Sequence, residues 1–203
     1  MFKRSIPTPR FHPRPTKPNL MSRPSSSGLI RVLGIDPGSV ITGYGLIETD
    51  GARSFHLTHG HIRLKGDSFP EKLGHIHKAL CDVIEQWQPH EVAIEQVFLS
   101  NNPMSALKLG QARGAAITAA VSQQLGVSEY APRLVKKVVT GAGSADKKQV
   151  QTMVRALLGI VSVVQVDAAD GLAIAICHAH SRTQVGNTIA TTRKRSRGRG
   201  LRL

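Results

Sequence analysis

The sequence predicts an α/β domain built on a mixed five-stranded sheet flanked by helices. Three observations predict it. An apolar run, LIRVLGID at 29–36, ends on an acid. Two alternating stretches follow, joined at Asp50-Gly51. From residue 69 onward, segments with helical spacing alternate with short apolar ones. Antiparallel strands first, and strand–helix alternation after, give a mixed sheet covered by helices.

The elements follow in order. Residues 29–36 read as a buried strand. Strands near 41–48 and 53–63 run antiparallel to their neighbours, because Asp50-Gly51 is a hairpin turn. Over 69–88, Leu73, Ile76, Leu80, Val83, Ile84 and Trp87 share one helical face, and Pro89 stops the helix. EVAIEQV at 91–97 is a fourth strand, with Glu95 on the face opposite Ile94. Residues 104–124 form a small-residue helix. Its Gly110 and Gly114 allow close packing, on the sheet in the plainer reading or on a second subunit. VSEYA at 127–131 is a short fifth strand, and helices follow near 145–158 and 168–181. About 155 residues are enough for one hydrophobic core.

Charge divides the chain differently. Of 27 Lys/Arg and 13 Asp/Glu, residues 1–28 hold six bases and no acid, and so do residues 184–203. The formal net charge of +14 therefore splits into +6, +2 and +6. The front arm carries six of the eleven prolines and ends in Ser25, Ser26, Ser27 and Gly28. Neither arm has the apolar periodicity to offset the entropy of ordering, so both are expected to be disordered. The expected organisation is a basic Pro/Ser-rich arm at 1–28, a nearly neutral domain at 29–183 and a basic tail at 184–203. Basic tails favour nucleic acid or anionic membrane. A solubilising role, or a true start at Met21 or later, is the bland alternative for the front arm. Cys81 and Cys177 match no metal spacing or disulfide framework, which fits a reducing cytoplasm. No apolar run approaches the roughly 20 residues of a membrane span.

The chemistry lies in the acids. Asp36 closes the first strand, and Glu95 lies near the end of the fourth. In VDAADGLAIAI, at 166–176, Asp167 and Asp170 open the last helix one turn apart. Strand ends and the start of a covering helix can meet at one place. Four carboxylates that meet raise one another's pKa, and a divalent cation relieves the conflict. Oxygen-only ligands point to Mg²⁺ or Mn²⁺ rather than zinc. Two such ions about 4 Å apart are standard for displacement at a phosphodiester. Taken singly, Asp167 also suits an N-cap, and Asp170 suits the positive end of the helix dipole. His178 and His180, like His75 and His77, are two apart and diverge on a helix, so they read as incidental. Lys136, Lys137, Lys147 and Lys148 flank GAGSAD, where a basic patch beside an acidic site would suit a polyanion.

Four blocks carry a resemblance: LGIDPGSVITGYGLIE, AIEQVFLSNNPMSALKLGQARG, EYAPRLVKKVVTGAGSADKKQVQTMV and DAADGLAIAICHAH. In this order and spacing, from about residue 30 to 182, they resemble the RuvC family of bacterial Holliday junction resolvases. The resemblance implies a ribonuclease-H-like fold, a homodimer and roles in homologous recombination and DNA repair. It implies Mg²⁺-dependent paired nicking of four-way junction DNA, with Mn²⁺ as a substitute, and work with a RuvA-RuvB branch-migration complex. Asp36, Glu95, Asp167 and Asp170 match the catalytic, metal-binding tetrad, with two ions expected per site. Phe98 matches an aromatic that stacks on unpaired bases, and Lys136 and Lys147 match residues that support DNA binding and cleavage. Competing readings are a related nuclease acting on another nucleic-acid structure, a non-catalytic DNA-binding module, and an ATP-binding actin or sugar-kinase-like domain suggested by GIDPGSVITGYG.

Overall fold

A computed structural model describes residues 28–97 and 102–196, with side chains to Arg182. The front arm, Phe98 and residues 197–203 lie outside the described residues. Five strands form one sheet in the order β3-β2-β1-β4-β5. They are β1 (Ile30–Asp36), β2 (Ile41–Thr49), β3 (Ser54–Arg63), β4 (Glu91–Glu95) and β5 (Val127–Tyr130). β2 is antiparallel to both β1 and β3, whereas β1, β4 and β5 are mutually parallel. This is the mixed sheet that the hairpin turn and the later strand–helix alternation predict.

The helices cover both faces. On one side α1 (Phe69–Trp87) and α2 (Pro103–Ser122) bury Ile76, Leu80, Ala112 and Ala116 against Leu33, Ile35, Val92 and Ile94. On the other, α5 (Val166–Ser196) lies on the sheet, backed by α3 (Pro132–Thr140) and α4 (Lys147–Leu158). Strand alternation sorts the side chains: Leu33 and Ile35 go to the first layer, Val32 to the second.

Local signals set the ends. Ser68 caps α1 by accepting from the Glu71 N–H, and the left-handed Gln88 (φ 49°) closes it. Asn102 caps α2. Asp146 and Gln149 form a capping box at the start of α4. α3 is a helix that the sequence reading lacks. Its Val135, Val138 and Val139 give it a strand-like composition, which hides the helical spacing in a nine-residue element. The backbone of α5 starts two residues before the predicted helix and runs past residue 183 to Ser196, a stretch with no proline.

The small residues of α2 divide between two faces. Ala112, Ala116, Ala119 and Ala120 are buried in the layer that α2 shares with α1 and the strands. Gly110 and Gly114 point the other way, with open space where a Cβ would be.

Close packing of α5 is what positions the chemistry. A Cβ on Gly34 would collide with the Gly171 carbonyl, and one on Gly43 with the Asp167 carbonyl. Glycine at these strand positions lets the helix backbone rest directly on β1 and β2. The first turn of α5 is thereby set over the carboxyl end of β1.

Candidate active site

Asp36 and Glu95 sit at the ends of neighbouring parallel strands. Ile35 pairs with Ile94, so the next residues stand side by side. Since Ile35 and Ile94 both face the α1/α2 layer, the two acids turn toward α5. There the glycine contacts hold Asp167 and Asp170.

The electrostatics show that the four acids feel one another. Burial pushes the Asp36 carboxyl up to about 8, with further upward pressure from Glu95, Asp170 and Asp167 and partial relief from Lys147. Burial likewise raises Glu95 to about 7, with Asp170 adding to it and Lys147 and Lys136 opposing. Asp170 is raised by burial and restrained by Lys147. Crowded, partly buried carboxylates of this kind are poor anions without a cation among them.

Two side chains already engage the helix pair. Lys147 donates from Nζ to Oδ2 of Asp170 at 3.1 Å. Burial works against the Lys147 charge, but Asp170, Asp36 and Asp167 raise its pKa. Gln165 donates to Oδ2 of Asp167 and accepts from the Ala168 N–H at 3.1 Å. Gln165 is thus the side chain that caps α5, and Asp167 is free of the capping role that its position allowed. Nothing in the sequence singles out Gln165, because a cap made by Gln is recognisable only from its geometry.

The other expected site residues are placed as follows. Lys136, on α3, acts on Glu95 and Asp170. Lys137 is exposed on α3. Lys148 is exposed beside a shallow groove lined by Asp146, Gln149, Thr152 and Met153. Phe98 lies outside the described residues.

Among the described residues, no three or more His, Cys, Asp or Glu side chains are already arranged as a metal-ligand set. The acids lie close enough to raise one another's pKa, but Lys147 and Gln165 hold Asp170 and Asp167 in other bonds. The donor chemistry still fits a hard divalent cation. The elevated Asp36 and Glu95 carboxyls are oxygen donors in need of positive charge.

His178 is not incidental to the structure, although it is no metal ligand. Its Nε2 donates to Oε2 of Glu91 at 2.5 Å, and its Nδ1 accepts from the Tyr130 hydroxyl at 2.7 Å. Burial holds its pKa down, so the ring is a neutral bridge. Arg182 pairs with the same Glu91. This clasp fastens the middle of α5 to β4 and β5.

Comparison with known proteins agrees with the geometry. The family model described as "Crossover junction endodeoxyribonuclease RuvC" matches residues 32–178. Proteins of that name from Psychromonas ingrahamii and Trichlorobacter lovleyi are 50% and 51% identical to the chain. The matches cover 83% and 85% of this chain and 97% and 99% of theirs. Among solved structures, T. thermophilus RuvC in complex with a Holliday junction substrate superposes with a TM-score of 0.72 at 33% identity. That match covers 76% of this chain and 96% of the other. The yeast mitochondrial Holliday junction resolvase Ydc2 shares the fold, with a TM-score of 0.59 at 13% identity over 80% and 85% of the two chains. The sheet is the ribonuclease-H-like one that the resemblance implies. With its four acids on the framework of these relatives, the chain belongs to the RuvC family of crossover junction endodeoxyribonucleases.

Proposed function

We propose that the protein resolves Holliday junctions by nicking two opposed strands in recombination and repair. The observation that carries this reading is the half-buried pair Asp36 and Glu95, side by side at the ends of β1 and β4 beneath the start of α5 in a RuvC-family fold. The relatives' name and the junction-bound T. thermophilus structure support the substrate.

Membership of a RuvC nuclease family implies dependence on a divalent metal. Asp36, Glu95, Asp167 and Asp170 would hold it, as Mg²⁺ with Mn²⁺ as a substitute, two ions to a site. When bound, such ions lower the pKa of a water and stabilise charge in an in-line displacement. The reaction adds water across the scissile phosphodiester and breaks the bond from phosphorus to the 3′ oxygen. It leaves 5′-phosphate and 3′-hydroxyl ends.

The chain's own residues do the rest. Lys147 and Lys136 temper the acid cluster and stand ready for a phosphate. Gln165 holds Asp167 at the helix start. Lys137 and Lys148 extend the basic surface, and Phe98 is assigned to base stacking on its matching position. The basic arms add affinity that is independent of sequence.

Two symmetric nicks on a substrate with near two-fold symmetry call for a homodimer. The outward face of α2 supports this. Met104, Leu107 and Val121 are exposed there, with Gly110 and Gly114 between them. A RuvA-RuvB branch-migration complex and a cytoplasmic location complete the proposal. Among the described residues, no helix is long and apolar enough to cross a membrane.

The test is a substrate panel with Mg²⁺: four-way junction, three-way junction, linear duplex and RNA–DNA hybrid. Nicking confined to the four-way junction is expected. Equal cutting of linear duplex or hybrid would point to a different nuclease of the same fold.

A further inference from the structure

Arg113 reaches the proposed active site from the opposite side of the sheet. It lies on α2 between Ala112 and Ala116, two residues that pack against the α1/α2 face of the strands. Its Nε donates to the backbone carbonyl of Glu95 at 3.3 Å. Its Nη2 pairs with Oε2 of Glu129 at 2.5 Å. We propose that Arg113 is the positioning residue for Glu95, and that Glu129 aims its guanidinium.

The argument starts from the end of β4. Glu95 is the last residue of that strand. On one side, Gln96 still donates to Tyr130 of β5 at 2.8 Å. On the other, β1 ends at Asp36, and the next residue is Pro37, which has no N–H with which to extend the ladder. A strand end that carries a functional side chain needs another donor to hold its last peptide. The guanidinium supplies it. Orienting that peptide fixes the direction of the Glu95 Cα–Cβ bond, and so where the carboxylate lies relative to Asp36.

Glu129 fits the same role. It stands opposite Ile94 in the β4–β5 pairing, one step from Glu95. Its side chain is 45% exposed, and that of Arg113 is 20% exposed. An ion pair with one partner that open adds little stability of its own. Its consequence is geometric: the planar fork of Arg113 is held at two points, one on a neighbouring strand and one on the peptide of a site residue.

This inference rests on the assignment of Glu95 to the metal-binding site. The full chain is compared with Arg113→Gln, Arg113→Lys and Glu129→Gln. Mn²⁺ affinity is measured by calorimetry without DNA, the Mg²⁺ midpoint by nicking, and metal-free junction binding by gel shift. Supporting groups behind metal ligands typically change affinity about 10–100-fold. Arg113→Gln is expected to weaken Mn²⁺ binding and raise the Mg²⁺ midpoint by about 10-fold, with metal-free junction binding unchanged. Arg113→Lys restores part of the affinity. Wild-type Mn²⁺ affinity and an unmoved Mg²⁺ midpoint in Arg113→Gln would overturn the proposal. If Arg113→Gln does not fold, Glu129→Gln decides: weakened Mn²⁺ binding supports the positioning role, and unchanged binding overturns it. A wild-type protein that binds no Mn²⁺ would remove the site assignment itself, and this inference with it.

Discussion

Lys147 and Asp170 join the start of α4 to the N-terminal end of α5 through a 3.1 Å contact. The lysine is the cation nearest the acid cluster in its effects, because it opposes the rise in pKa of Asp36, Glu95 and Asp170 together. Replacing it exposes what it does. Lys147→Met is expected to slow single-turnover nicking about 10–100-fold, as for other groups supporting a metal site. If the lysine also meets a phosphate, the log–log salt slope of junction binding falls by about 1. Gel-shift titrations across ionic strength, with single-turnover rates beside them, check both.

The half-buried acids make a prediction for the metal-free protein. Asp36 and Glu95 have folded pKa values raised to about 8 and about 7. Their contribution to stability is therefore complete below the ordinary carboxylate range and is lost as pH rises through 7 and 8. A tenfold difference in proton affinity between the folded and unfolded chain corresponds to about 1.4 kcal/mol. In EDTA, the melting temperature of the wild type should drop between pH 5 and 9 more steeply than that of Asp36→Asn. Adding Mg²⁺ at pH 8 should recover stability in the wild type alone.

Gly43 permits the contact that brings Asp167 to the sheet. Gly43→Ala must push α5 outward, since the new methyl meets backbone rather than a movable side chain. Overpacking of this kind costs about 1–3 kcal/mol. Denaturant melts should show that loss, and nicking should fall further than the fraction unfolded explains.

Gly114 tests the proposed dimer face. It is exposed, and a side chain there meets nothing within its own subunit. Gly114→Glu is expected to leave the monomer fold intact and to shift sedimentation toward the monomer. Paired nicking should be lost with it. A stable dimer in this variant would place the interface elsewhere.

Much of the fold was legible because alternation and turns are local. The strands fall within two residues of their expected ends, and Asp50-Gly51 makes the turn between β2 and β3. α3 was not legible, because three valines in a short helix imitate a strand. The outward direction of Gly110 and Gly114 was not legible either, since a run of small residues has two candidate faces and only packing chooses. For the site, Asp36 and Glu95 stood out as acids at strand ends. That they stand side by side depends on the β1–β4 register, a pairing between residues nearly sixty apart. Gln165, Arg113 and His178 carried no readable signal, because their roles consist of bonds to residues distant in space or to backbone.

The most direct measurement maps nicks on a synthetic four-way junction with Mg²⁺, using wild type and Asp36→Asn side by side. The account predicts symmetric paired nicks with 5′-phosphate ends from the wild type. It predicts that Asp36→Asn binds the junction at least as tightly, yet cuts about 1,000-fold more slowly or worse. Cutting by Asp36→Asn at the wild-type rate would contradict it.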